Sequence, residues 1–464
     1  MPKASQGHLP LREFKSRRGI WTQLFALLTN SIAAGNMLWT RVTRASFCAG
    51  LLLLHHYPGK PMTCIDRSCR VVLLTVILLM AALPMFATTI HVPADQPTIQ
   101  DGINAAANGD TVLVESGTYF ENINFNGKAI TVTSADGPVV TIIDGGAVNT
   151  VVTFSTNETT ASVLSGFTVQ NGNNEFNGGG IMIAGASPTI KGNSIVNNLS
   201  GSGGGLSVQF GSPVIEGNFI SQNRAQFGGG LYLGFCPGSR VVRNDFRGNE
   251  GSSGGGAIAF FGAGRVVVEN NQFYSNISAT QGGAMWIVNE ADELIVQNLF
   301  VQNISTSGSE IYSLIPQSTT GFRIINNTIV SNNPNTDAAV IADGFNKNAV
   351  LINNIIAAGP GETALLCNPI YKDGPPIVQT NDAYSSSGAG YSGTCGSDLD
   401  RFGNISEDPQ FVDALKSDFE LLAASPAINA GKNLSGLPQK DLAGNPRIVG
   451  GTIDMGAYEY QGDR

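Results

Sequence analysis

Asparagine, any residue, then isoleucine or phenylalanine recurs seven times between residues 193 and 356, at intervals of 25 to 29. The asparagines are Asn193, Asn218, Asn244, Asn271, Asn298, Asn327 and Asn354. An apolar residue stands three positions before each, from Ile190 to Leu351, and another two positions after, from Ile195 to Ile356. Such a period is too short for an independent domain and suits one coil of a stacked solenoid. A second polar column follows five residues later at Asn198, Asn223, Asn249, Asn276, Asn303 and Asn332, where asparagine suits a corner.

Glycine supplies a third column, in triplets at 178–180, 203–205, 228–230 and 254–256 that decay to Gly282-Gly283. Short apolar runs follow from Ile181, Leu206, Leu231, Ala257, Ala284 and Ile311. Three short strands and three corners per unit predict an all-β fold, a right-handed parallel β-helix over residues 88–404. Stacked asparagines then satisfy buried corner groups rather than meet a ligand. On this register Phe210, Phe235 and Phe261 share one position and read as a stacked core, with Trp286 also inward. The outward residues of the same strands become Met182, Tyr232, Ile258, Phe260, Met285, Ile287, Tyr312 and Leu314, an unusually apolar face.

A solenoid needs covers at its ends. Ile99, Ile103 and Ala106 or Ala107 share one helical face, which predicts an N-terminal cap over 96–107. Residues 405–464 read as a C-terminal capping module.

The N-terminal part has a different character. Residues 71–83 form an apolar stretch behind Arg67 and Arg70, ending near a small-residue site at Ala87. This reads as a signal peptide over 62–87, too short for a comfortable membrane span, so no span is expected in the mature chain. Met62 is then the expected start, with 1–61 a start-site error or an N-terminal extension. The first 87 residues carry ten of the 26 Lys and Arg but two of the 35 acids, leaving 16 bases against 33 acids, a formal charge of −17. That balance argues against nucleic acid and against polyanions without a bridging cation. Of six cysteines, Cys236, Cys367 and Cys395 follow the signal; export would let Cys367 and Cys395 pair, leaving Cys236 as a small apolar residue.

The segment 91–119, HVPADQPTIQDGINAAANGDTVLVESGTY, together with NGKAITVTSADG, TIIDGG and the asparagine repeat, resembles secreted bacterial pectin-lyase-like β-helix proteins. The later Asp408-Pro409-Gln410-Phe411, SPAINAG at 425–431, DLAGNPR at 441–447 and DMGAYEY at 454–460 resemble the C-terminal module called choice-of-anchor Q. The resemblance spans 90–460 and implies fold and export; of activity it implies only a group that mixes lyases, hydrolases, epimerases and proteins without a reaction. No sorting motif follows Tyr460, so release or noncovalent surface association is expected.

A catalytic motif does not emerge. His91 is the sole histidine beyond the signal, which sets aside histidine-dependent acid–base chemistry on the solenoid. Glu290-Ala291-Asp292-Glu293 is a compact acidic turn that could hold Ca²⁺ through Glu290, Asp292 and Glu293, or supply an acid and a base through Asp292 and Glu293. Arg265 and Arg323 read as occupying matching pre-strand segments of neighbouring coils, where they could neutralise developing charge. Solvated turn pairs are the plainer reading of all five charges. Tyr232 and Tyr312 could stack on sugar rings. The expectation is an exported β-helix protein that binds polysaccharide or another glycan and, if an enzyme, acts as a lyase or glycoside hydrolase; the alternative is a noncatalytic surface, adhesion or scaffold protein.

Overall fold

The structure is a computed structural model and describes residues 87–289, 292–314, 321–343, 348–368 and 376–462. The expected extension at 1–61 and, except for Ala87, the signal segment lie outside the described residues.

The chain winds as a right-handed parallel β-helix of about eleven coils, each giving one strand to each of three parallel sheets. Sheet I has 12 strands, from Thr89–Val92 to Ile377–Gln379; sheet II has 11, from Gly117–Phe120 to Asp382–Ser385; sheet III has 11, from Ile123–Asn124 to Tyr391–Gly393. A fourth, five-stranded sheet from Asn173–Asn177 to Ile277–Ser278 widens the corner between sheets II and III. The two apolar columns lie in register, Ile190 through Leu351 in sheet I and Ile195 through Ile356 in sheet II, and both face the interior. Their burial, at roughly 25 cal/mol per Å² of apolar area, is the main drive for stacking.

The asparagines form hydrogen-bonded ladders at two corners. In the first, both the backbone N–H and Nδ2 of Asn193 donate to Oδ1 of Asn218, and the pattern continues through Asn354 to Asn381 and Asn404. Each Nδ2 also reaches a carbonyl in the preceding coil, as from Asn271 to Val241 at 2.8 Å. One side chain thus serves several buried groups that a corner would otherwise strand.

The second ladder corrects the sequence expectation. It runs Asn198, Asn223, Asn249, Asn276, Asn303 and stops there, because the Glu310 carboxylate accepts the Asn303 N–H and Nδ2. Asn332 is exposed and outside the ladder.

The helix Ile99–Ala105 closes the N-terminal end, with Thr98 accepting the Asp101 N–H and the Glu121 carboxylate accepting those of Ile99 and Gln100. Lys128 Nζ donates to the carbonyls of Ile103, Asn104 and Ala106 at its other end. Both ends therefore carry charges that oppose the helix dipole. Near the far end of the solenoid a disulfide joins Cys367 in sheet III to Cys395 in the 3₁₀ turn Thr394–Ser397, with Cα atoms 5.5 Å apart.

Residues 405–462, read from sequence as an end cover, pack along the outer flank of the solenoid. After Ile405 bridges to Asp382, the chain turns back over sheet II, where outward Leu299, Val301 and Val330 meet Phe411, Phe419 and Tyr458. The left-handed residue before each first-ladder asparagine supplies the polar clips. It is Gly192 and Gly217 in the earlier coils, but Gln297, Asn326 and Asn353 in the later ones. Gln297 donates to the Lys440 carbonyl, Asn326 to those of Asp454 and Gly456, and Asn353 to that of Lys432. Inside the segment, Arg447 is buried against Glu459 at 3.3 Å and donates to the Tyr458 and Gly456 carbonyls. Asp454 accepts the N–H groups of Asn429 and Tyr460, so these acids and the arginine of this segment are internal braces.

Candidate functional site

The described part of the acidic turn, Asp292 and Glu293, does not present two carboxylates to solvent. Glu290 lies outside the described residues, and Asp292 is half-buried. Glu293 is fully buried, in register with core residues Val266 and Phe322, and both its carboxylate oxygens lack a hydrogen-bond partner. Burial pushes its carboxyl up to about 8; the nearby N–H groups of Glu293 itself and Asp292 favour the ion but fall short of hydrogen-bond geometry. A neutral carboxyl inside the core is unsuited to Ca²⁺ or to a solvent-side base. Among the described residues no group of three or more His, Cys, Asp or Glu side chains is placed to hold a metal ion.

Arg265 and Arg323 also separate. Arg323 pairs in register with Leu294, and Leu294 with Val267, so Arg323 stands two coils on from Arg265 and two positions out of step. At about 4.8 Å per coil, that puts some 10 Å of axial rise between them. Cys236 is buried with its thiol pushed up to about 12, mainly by desolvation, which keeps it protonated and unreactive.

The outer face of sheet III needs a larger correction. Ile258, Phe260, Met285 and Ile287 point into the core, while Met182, Tyr232, Tyr312 and Leu314 point outward and Trp286 joins them. The cause is one extra residue in the strand Glu250–Gly254: Ala225 pairs with Gly251, yet Phe227 pairs with Gly254. Left-handed Gly228 therefore matches Gly255, and the triplet 254–256 sits one place early. A slip of one residue reverses every side chain that follows.

The same slip separates the three phenylalanines. Phe210 and Phe235 share a corner position, whereas Phe261 pairs with Gly234 and precedes it by one. None is core: Phe210 is 67% exposed, Phe235 49% and Phe261 38%. The aromatic stack inside the helix is instead Phe246, Phe273 and Phe300, with centroids 5.0 and 4.7 Å apart.

These exposed rings form an ordered surface. Phe210 and Phe235 stack at 5.6 Å with 7° between planes, and Phe261 meets Phe235 edge-on at 6.1 Å. Phe210 and Phe235 both have left-handed backbone, at φ 57° and 50°, a region that bulky residues rarely occupy. In the preceding coil the matching residue is Gly185, and a Cβ built there would meet nothing within 4 Å. One face of Phe210 therefore opens onto an empty step. Tyr232 lies across Gly234 beside this corner. Further along the face Trp286 stacks on Phe227 at 5.2 Å and donates through Nε1 to Gln281. Ala259, between Tyr232 and Trp286, is wholly covered although it faces outward. Tyr312 differs: it is buried and its hydroxyl donates to Asp343 at 2.8 Å, so it supports this face rather than presenting a ring.

The aromatic corner was missed because its spacing reads equally well as core. The available signal was that Phe210 and Phe235 stand where the neighbouring coils have Gly185 and Gly262, both left-handed. Core columns do not alternate in that way.

The architecture is thus that of a parallel β-helix protein with an aromatic outer face. Residues 150–356 match a family described as right handed beta helix region. No curated protein matches the chain. Among solved structures, the crystal structure of pectate lyase Pel9A is similar over 78% of this chain and 90% of its own, at 16% identity and a TM-score of 0.42.

Proposed function

We propose that this is an exported β-helix protein that binds polysaccharide at the aromatic corner of sheet III, acting as a holder and not as a lyase or hydrolase. The observation that carries the reading is the pair Phe210 and Phe235. Each combines two costs, an exposed aromatic ring and a left-handed backbone of about 1 kcal/mol or more, and such strain concentrates at functional positions. Ring faces in register suit the apolar faces of pyranose sugars, and the open step above Gly185 gives a sugar room against Phe210. The dispersal of Glu293, Arg265 and Arg323 favours binding over chemistry. Export suits the Cys367–Cys395 disulfide, which needs an oxidising compartment.

The test is a titration of wild type and of Phe210→Ala/Phe235→Ala with soluble neutral and acidic polysaccharides, assaying reducing and unsaturated ends in parallel. Loss of two stacking contacts of about 0.5–1.5 kcal/mol each predicts binding weakened by roughly tenfold or more. Failure to bind any glycan, unchanged binding by the double variant, or new chain ends would each overturn the proposal. The scaffold reading draws on other exposed apolar residues, Phe120, Val148 and Phe176; retained glycan binding after all three are changed to Ser would set them apart from the glycan site.

A further inference from the structure

The C-terminal segment leaves a gap where it overhangs the corner between sheets I and II. Between the coils and residues 438–444 lies a cleft of about 610 Å³, within the usual range for a small-ligand site. The solenoid wall carries Arg243, Asp245, Glu269 and Gln272, and the opposite wall carries Gln439 and Lys440. Both walls are fixed from behind. Gln297 Nε2 donates to the Lys440 carbonyl at 2.6 Å and to Asn270 Oδ1 at 2.8 Å, bridging the two sides. Asp441 accepts the N–H groups of Asn445 and Glu459, which holds the overhanging turn. The two walls are thus tied to each other and to the coils behind them.

Its polar groups divide into two sets. Arg243 pairs with Glu216, Glu269 with Arg240 at 3.6 Å, and Asp245 with Arg247 at 2.8 Å, so the solenoid wall is internally balanced. The side chains of Gln272, Gln439 and Lys440 have no hydrogen-bond or ion-pair partner among the described residues. One ammonium and two amides without a protein partner thus belong to residues that line a cleft in which, among the described residues, no aromatic ring takes part. Such a lining suits a ligand dense in hydroxyl groups that carries a carboxylate, and it offers little to an apolar anchor. The wider chain, at −17 beyond residue 87, disfavours a polyanion and favours isolated carboxylates.

We propose that this cleft is a saccharide site for a sugar bearing a single carboxylate, a uronic acid within an otherwise neutral glycan. Lys440 pairs with the carboxylate, while Gln272, Gln439 and the already paired Asp245 and Glu269 hydrogen-bond the hydroxyls. The site stands on other residues than the aromatic corner and does not depend on it.

The experiment titrates the full chain with a glucuronyl disaccharide and with the same disaccharide reduced at its carboxyl, following nitrogen–proton chemical shifts. Wild type is expected to prefer the acidic sugar by roughly tenfold, and Lys440→Gln to abolish that preference with the thermal midpoint unchanged. The shift changes that follow the acidic sugar are expected at Gln272, Gln439 and Lys440 and not at Phe210 or Phe235. Equal affinity for the two sugars, no binding of either, or a preference that survives Lys440→Gln would overturn the proposal. Shift changes confined to Phe210 and Phe235 would overturn it too, by assigning the acidic sugar to sheet III.

Discussion

Replacing Asn271 by alanine isolates what a rung of the first ladder contributes. Asn271 Oδ1 accepts the Asn244 N–H at 2.8 Å and Asn244 Nδ2 at 3.0 Å, while its own Nδ2 donates to the carbonyls of Val241 and Glu269 and to Asn298 Oδ1. In Asn271→Ala the backbone N–H of residue 271 still reaches Asn298 Oδ1, and Asn244 Nδ2 still reaches the carbonyls of Ile215 and Val242. The Asn244 N–H, however, loses its acceptor inside the corner. An orphaned buried donor costs about 1–3 kcal/mol, and the lost bonds to partly satisfied groups add about 1 kcal/mol, giving roughly 2–4 kcal/mol in all. Because a solenoid opens locally, hydrogen exchange at the Asn244 amide is the direct readout, with urea unfolding as the global one. Exchange should quicken by a factor on the order of 30 to 1,000, since each 1.4 kcal/mol is tenfold. Asn332→Ala is the control: its sequence position looks equivalent to the second ladder, but its side chain is exposed, and a change within about 0.5 kcal/mol is expected. Equal effects of the two substitutions, or less than about 1 kcal/mol from Asn271→Ala, would refute the reasoning.

Glu293 makes stability depend on pH. Its folded-state value of about 8 lies above the ordinary 4.5, so the folded chain holds a proton that the unfolded chain releases, and its contribution is full below about pH 4.5 and declines as pH rises to about 8. Glu293→Gln should flatten that decline in thermal midpoints measured from pH 5 to 8; parallel profiles for variant and wild type would contradict the assignment. Arg447→Met leaves Glu459 buried without its cation and should cost about 3–5 kcal/mol within the C-terminal segment, read as faster proteolysis between residues 405 and 462. Reducing the Cys367–Cys395 disulfide releases a loop of 28 residues and should lower stability by about 3–4 kcal/mol, measured by denaturant unfolding with and without reductant.

The fold was legible in residues whose neighbours repeat them. Asn218 and Ile220 mean little alone, but their recurrence defines a coil, because every coil presents the same corner and the same inward positions. The N-terminal helix was legible for a related reason: Ile99 and Ile103 are a local periodic pattern, and their face had an open coil to cover. The second ladder failed at Asn332 because its neighbour Glu310, a residue from another column, reaches Asn303 first. Nothing in the spacing of asparagines records a competing carboxylate.

The site was legible only in part. Tyr232 was placed outward correctly, whereas Trp286, Phe260 and Ile287 were reversed by the single extra residue before Gly255. An insertion inside a glycine-rich corner leaves the local composition unchanged and inverts all that follows in that strand. Glu293 belongs to an acidic run in sequence, yet its register with Val266 and Phe322 carries it into the core.

What the sequence determined by itself was the period, the inward columns, the first ladder and the acidic balance of the chain, since each is a property of composition or regular spacing. Only the tertiary structure decided which side of sheet III faces water, which acids are buried, and that residues 405–462 lie along the flank and form a cleft with it. Those outcomes depend on strand register and on contacts between distant segments. A one-residue shift or a carboxylate from another coil changes them without disturbing the repeat.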